Sequence, residues 1–113
     1  MNDAAWVQEF PAAITVCDAS GVILAMNDRS RASFEAEGGA ALIGTDLHNC
    51  HTGESREKVA ALLASQSPNC YTIEKNGVKK LIYQSPWFEG GSYRGFVEIS
   101  IPVPEQMPHF VRG

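Results

Sequence analysis

Residues 70–101 read CYTIEKNGVKKLIYQSPWFEGGSYRGFVEISI, and this stretch decides the fold. Asn76-Gly77 stands between two apolar-polar runs. Both residues tolerate positive φ, so the pair predicts a two-residue type I′ hairpin. Before it, residues 70–75 alternate Tyr71 and Ile73 with Cys70, Thr72 and Glu74. After it, residues 78–87 place Leu81 and Tyr83 on one face and Val78 and Ile82 on the other. Glu89-Gly90-Gly91-Ser92 marks a second turn. Residues 93–101 follow as a long last strand, with Val97, Ile99 and Ile101 on one face and Phe96, Glu98 and Ser100 on the other. Pro102 and Pro104 end it. Three hairpin-linked strands are antiparallel neighbours.

The first half supplies two more strands and the helices. Residues 13–17 (AITVC) and 22–26 (VILAM) are short apolar runs joined by Asp18-Ala19-Ser20-Gly21, a turn composition that pairs them as a hairpin. Asn27 or Asp28 can cap a helix running to about Glu37, which Gly38-Gly39 end. Residues 40–43 form at most one further turn. A longer helix starts at Thr52 or Ser55 and reaches Ser65, with Val59, Leu62 and Leu63 on one stripe. Ahead of everything, residues 4–10 form a short amphipathic helix in which Trp6 and Phe10 share a face, and Pro11 stops it. The order predicts an α+β domain, a five-stranded antiparallel sheet with short helices packed on one face. The chain divides into a helical flank (1–12), a central domain (13–104) and a tail (105–113).

Bulk properties exclude several classes. The chain has 113 residues, 44% of them hydrophobic, which suits one domain with a core. With 9 basic and 13 acidic residues and no basic run, nucleic acid is not an expected partner. No stretch is apolar for the roughly 20 residues that span a bilayer, so no membrane partner is expected and a cytoplasmic protein is. Cys17, Cys50 and Cys70 form no C-x-x-C and no expected disulfide. No phosphate-binding, nucleophile-elbow or zinc-protease motif is present, so no enzyme is expected.

The order and its punctuation resemble the PAS domain, a sensor module of signalling proteins. FPAAITVCDASGVILAMND (10–28) is similar to the family's opening, LIGTDLHNCH (42–51) to the step before its long helix, and SPWFEGGSYRGFVEIS (85–100) to its closing hairpin. The resemblance spans about residues 10–101. The Asn-Cys-His step and the MPHF tail further resemble PAS modules attached to hemerythrin-like domains. It implies a module that binds a small ligand or a partner and relays a signal by conformational change or dimerisation. A homodimer and a signalling output domain or protein are the partners it implies.

The stretch DLHNCHTGES (46–55) gathers His48, Cys50 and His51. A structural zinc site needs four such ligands, and Cys17, Cys70 and His109 lie far off in sequence, so no metal site is expected. The ordinary reading is a helix entrance, with Asn49, Thr52 and Ser55 as turn and cap residues. No cofactor is assigned. Haem is the alternative the resemblance implies, with His51 or His48 as axial ligand. A pocket lined by Val59, Leu62, Leu63, Leu81, Tyr83 and Val97 would receive it. A small organic ligand could instead be held by Tyr71, Tyr83 or Gln84. Flavin is less expected. Asn49-Cys50 matches the photosensing subgroup, but His51 replaces its Arg, its strand asparagines are missing, and Glu98 stands for its Gln. Trp6, Val7 and Phe10 are the expected dimer or partner contact, since a short flank cannot bury them alone.

Overall fold

The computed structural model describes residues 5–113, the Cys50 side chain excepted. Two strands, β1 (Ala13–Asp18) and β2 (Ile23–Met26), precede the helices, and β3 (Asn69–Lys75), β4 (Val78–Glu89) and β5 (Ser92–Pro102) follow them. All five lie in one sheet of order β2-β1-β5-β4-β3, and every neighbouring pair is antiparallel. This is the expected α+β architecture. The last strand thereby becomes the centre of the sheet, between β1 and β4.

Local chemistry sets the turns. Asp18 Oδ1 accepts from the backbone N–H groups of Ser20 and Val22, both at 2.9 Å, which folds the β1–β2 connection. Asn76 and Gly77 have φ of 53° and 77°, both positive as the type I′ turn requires. α1 (Ala5–Gln8) is shorter than the expected helix, whose first residue, Ala4, lies outside the described residues. Phe10 N–H turns back to the Val7 carbonyl ahead of Pro11. α2 (Asp28–Ser33) also ends earlier than expected. The chain tightens there into 3₁₀ turns, and Gly39 N–H reaches back 2.9 Å to the Phe34 carbonyl. α3 (Gly53–Ser65) is the long helix, entered from Thr52 and ended by Gln66 in a left-handed conformation. No helix among the described residues is long and apolar enough to cross a membrane.

Asn27 joins three elements. It is 2% exposed and caps α2 by accepting the Ser30 N–H. The same oxygen accepts the Ile14 N–H of β1 at 2.9 Å. Its amide nitrogen donates to the carbonyls of Ala12 and Val7 at 2.8 and 3.0 Å, fixing the chain between α1 and β1. Every hydrogen-bonding position of this buried side chain is therefore engaged.

The register defines two faces. Cys17 pairs with Phe96, and with Leu63 of α3 they form the buried core cluster, against which Leu47, Val59, Leu62 and Tyr93 pack. Thr15, on the same face, meets Ser30 of α2 hydroxyl to hydroxyl at 2.5 Å. This inner face, the one α2 and α3 contact, carries Phe96, Glu98 and Ser100 of β5. It also carries Ile82 and Gln84 of β4, and Asn69, Tyr71 and Ile73 of β3. The outer face carries Ile14, Val16, Leu81, Tyr83, Val97, Ile99 and Ile101.

That division corrects the expected pocket. Tyr83, Val97 and Leu81 do not line a space with Leu62 and Leu63. Tyr83 pairs with Ile99 and Ser85 with Val97, one residue out of phase with Phe96, and a one-residue offset puts a side chain on the opposite side of the sheet.

Candidate functional site

The candidate site is the open inner face beside α3. Leu63 covers the Cys17–Phe96 end, whereas every residue of β3 is exposed, including Tyr71 at 43% and Ile73 at 39% on the inner side. The result is a groove rather than a closed cavity. A separate cleft of about 450 Å³ lies between Asp18, Leu24, Trp87 and Arg94 at one end of the sheet.

The groove floor is polar across three strands. Asn69 Nδ2 donates to Gln84 Oε1 at 3.0 Å, and Gln84 Nε2 donates to Glu98 Oε2 at 2.7 Å. Ile82 and Phe96, each 5% exposed, flank this ladder on the same face. Burial first, and the charge of Glu98 second, raise the Tyr71 hydroxyl above the ordinary phenol range. Burial also raises the Cys17 thiol, against a lowering hydrogen bond from the Phe96 backbone, with Asp18 and Glu98 adding to the rise. Cys17 is thus a core thiol with little thiolate character. The Tyr93 hydroxyl donates to the Leu63 carbonyl at 2.8 Å and ties α3 to β5.

The histidines are dispersed in role. His48 lies in a 3₁₀ turn, Leu47–Cys50, capped by Asp46. Its Nδ1 is 2.6 Å from Asp46 Oδ1, which also accepts the His48 N–H at 2.9 Å. The backbone N–H of His48, then its ring, hold the Asp46 carboxyl below its ordinary value. The His48 ring stands against the β1–β2 turn, where a Cβ on Gly21 would come within 3.1 Å of it. His51 is half-buried just ahead of α3. His109 lies in the exposed tail. The Cys50 side chain, part of the Asn49-Cys50 flavin match, lies outside the described residues. Among the described residues, no three His, Cys, Asp or Glu gather as a metal set.

Haem needs an axial imidazole aimed into an apolar slot. The sheet side of this groove instead presents a carboxylate and two amides, and His48 is engaged by Asp46. His48 and this polar floor do not fit haem, which leaves the half-buried His51 as the candidate ligand. Of the expected pocket residues, Leu63 belongs to the core cluster and Val59 and Leu62 pack against it, whereas Leu81, Tyr83 and Val97 lie on the outer face. The ladder was missed because Asn69 directly follows Pro68 and reads as loop, and because register between strands is invisible in a single sequence. The expected partner contacts are partly accessible. Trp6 is 66% and Phe10 42% exposed, edge to face at 5.8 Å, while Val7 is half-buried.

No family model matches the sequence, and no curated protein matches it. Solved structures do. The chain is similar to the PAS domain of BvgS from Bordetella pertussis, at 17% identity and a TM-score of 0.64, over 89% of this chain and 83% of that one. It is similar to the PAS domain of a Colwellia psychrerythraea protein, at 18% identity and a TM-score of 0.63, over 91% of this chain and 95% of that one. A third is the Aer2 receptor from Vibrio cholerae, described as a dual PAS-heme oxygen sensor, at 15% identity and a TM-score of 0.61, over 82% and 95% of the two chains. At such identities the likeness concerns the fold.

Proposed function

We propose that this chain, which has the PAS fold, is a sensor and interaction module that works by binding rather than by catalysis. A small molecule on the inner face shifts the packing of α3 on the sheet, and the outer face carries that shift to a partner. Residues 13–104 form the working unit, with 1–12 and 105–113 as its flanks.

The observation that carries this reading is the outer face. At its centre lie Ile14, Val16, Val97, Ile99, Ile101 and Leu81, with Tyr83 40% exposed beside them, while α2 and α3 contact the opposite side. No charged residue interrupts that set. An uncharged apolar centre, with Glu74 and Lys79 on the same face only toward the β3–β4 turn, meets a second copy of itself readily, because a two-fold interface places the same patch on both sides. A homodimer through this face is therefore the favoured assembly, with the exposed Trp6 and Phe10 as further contacts and an output domain or protein as the receiver.

Ile99→Arg puts a charge at the centre of the face. The wild-type chain is expected to sediment as a dimer and Ile99→Arg as a monomer with unchanged circular dichroism. The loss of affinity should be tenfold or more, about 1.4 kcal/mol. Identical sedimentation of the two would remove the outer face as the interface.

Haem is the rival reading, and a hemin titration separates the two. The groove's donor set leads us to expect no band beyond that of free hemin. A Soret band that survives gel filtration and disappears in His51→Ala would establish a haem sensor instead.

A further inference from the structure

We infer that the inner face takes a ligand with an apolar body and a cationic nitrogen head, seated on Glu98; this rests on the reading of that face as the ligand site. The ladder itself fixes the polarity. An ionised carboxylate only accepts, so Gln84 must present its Nε2 to Glu98. Its Oε1 then faces β3, and Asn69 must present Nδ2 to it. All the hydrogen-bond donation therefore runs one way, from β3 through β4, and ends on Glu98 of the central strand.

Glu98 has no cation of its own among the described residues. Their ion pairs join Arg31 to Asp28, His48 to Asp46 and Arg94 to Glu89. Lys80 is the basic residue on the inner side of β4, but it lies four residues along the strand from Gln84, roughly 13 Å at about 3.3 Å per residue. Gln84 is bonded to one carboxylate oxygen, and no hydrogen bond from a described residue reaches the other. Glu98 is half-buried, and its second oxygen stays accessible to an arriving positive partner.

The surroundings suit the rest of such a molecule. Phe96, two residues along the same face of β5, and Ile82 on β4 supply an apolar floor, with Leu63 above Phe96. Tyr71 pairs with Ile82 on the same inner face, an aromatic ring of the kind that attracts cations. A carboxylate or phosphate ligand would meet Glu98 instead, and repulsion would exclude it.

The test compares three probes of similar size on the ¹⁵N-labelled full chain: phenethylamine, phenethyl alcohol and 3-phenylpropionate. Phenethylamine is expected to shift the amide signals of Tyr71, Gln84 and Glu98, and to bind about tenfold or more tightly than 3-phenylpropionate, as a charge-assisted hydrogen bond would give. Glu98→Gln keeps the shape and should erase that preference; a dispersed spectrum confirms that it folds. If 3-phenylpropionate binds at those amides as well as the amine, or if Glu98→Gln leaves the preference intact, the assignment of ligand class is wrong while the site stands. If no probe moves any inner-face amide, the reading of the inner face as a ligand site fails, and the inference with it.

Discussion

Gly95→Ala is expected to prevent the sheet from closing. Gly95 pairs with Asp18 on one side and Trp87 on the other, at φ of 150°, a conformation that L side chains rarely adopt. A Cβ there would lie 2.0 Å from the Cys17 carbonyl oxygen and 2.6 Å from the Asp18 carbonyl carbon. These are backbone atoms of the neighbouring strand, so no side chain can swing aside to make room. The same Cys17 oxygen also accepts the Trp87 indole N–H at 3.0 Å, and parting the strands would break that bond too. The expected loss exceeds about 4 kcal/mol, a large share of the roughly 5–15 kcal/mol that holds a domain folded. Urea unfolding followed by tryptophan fluorescence measures it. A variant within about 1 kcal/mol of wild type would mean that β1 and β5 do not approach as described.

Asn27→Leu comes next in size. Its volume is similar, but it leaves the Ile14 and Ser30 N–H groups and the Ala12 and Val7 carbonyls without their partner. At about 1–3 kcal/mol for each buried group left unpaired, and less for those that reach water, the expected cost is about 3–6 kcal/mol. Asn27→Asp adds a diagnostic pH dependence. Its carboxylate can still accept from Ile14 and Ser30, but its second oxygen would face two carbonyls in a buried site. Burial and those carbonyls would raise the folded-state pKa above the unfolded value. The penalty is then largest above the folded-state pKa and shrinks as the pH falls through it, because the protonated acid can donate to a carbonyl. Denaturant midpoints of this variant should therefore move toward wild type between neutral pH and about pH 5. A penalty independent of pH would argue against a dry, carbonyl-facing position for residue 27.

The sheet was legible because its signals are local. Asn76-Gly77, the Asp18–Gly21 turn and the alternation in residues 93–101 each state a hairpin or a face within a few residues. The Asn27 cap was legible for the same reason, although its bonds to Val7, Ala12 and Ile14 were not, since they depend on how distant segments meet. The site fared differently. Tyr83 and Val97 look like pocket residues by type, yet which face of a sheet receives the helices is decided by packing. The small Cys17 beside Phe96 leaves room for Leu63, and that choice turns Val97 outward. The cluster in DLHNCHTGES drew the eye by composition, but His48 is spent on Asp46 at the β1–β2 turn. The polar ladder that better marks a site is spread over Asn69, Gln84 and Glu98, residues 15 and 14 positions apart that only strand register brings together.

The central claim is that the outer face is where the chain meets its partner. Intermolecular methyl contacts test it most directly, in a sample mixing isotope-labelled and unlabelled copies of the full chain. The expected result is nuclear Overhauser effects between copies that join the methyl groups of Ile14, Val16, Val97, Ile99 and Ile101. Effects confined to Leu63, Met107 or Val111, or none at all in a sample that sediments as a dimer, would place the interface elsewhere and contradict the claim.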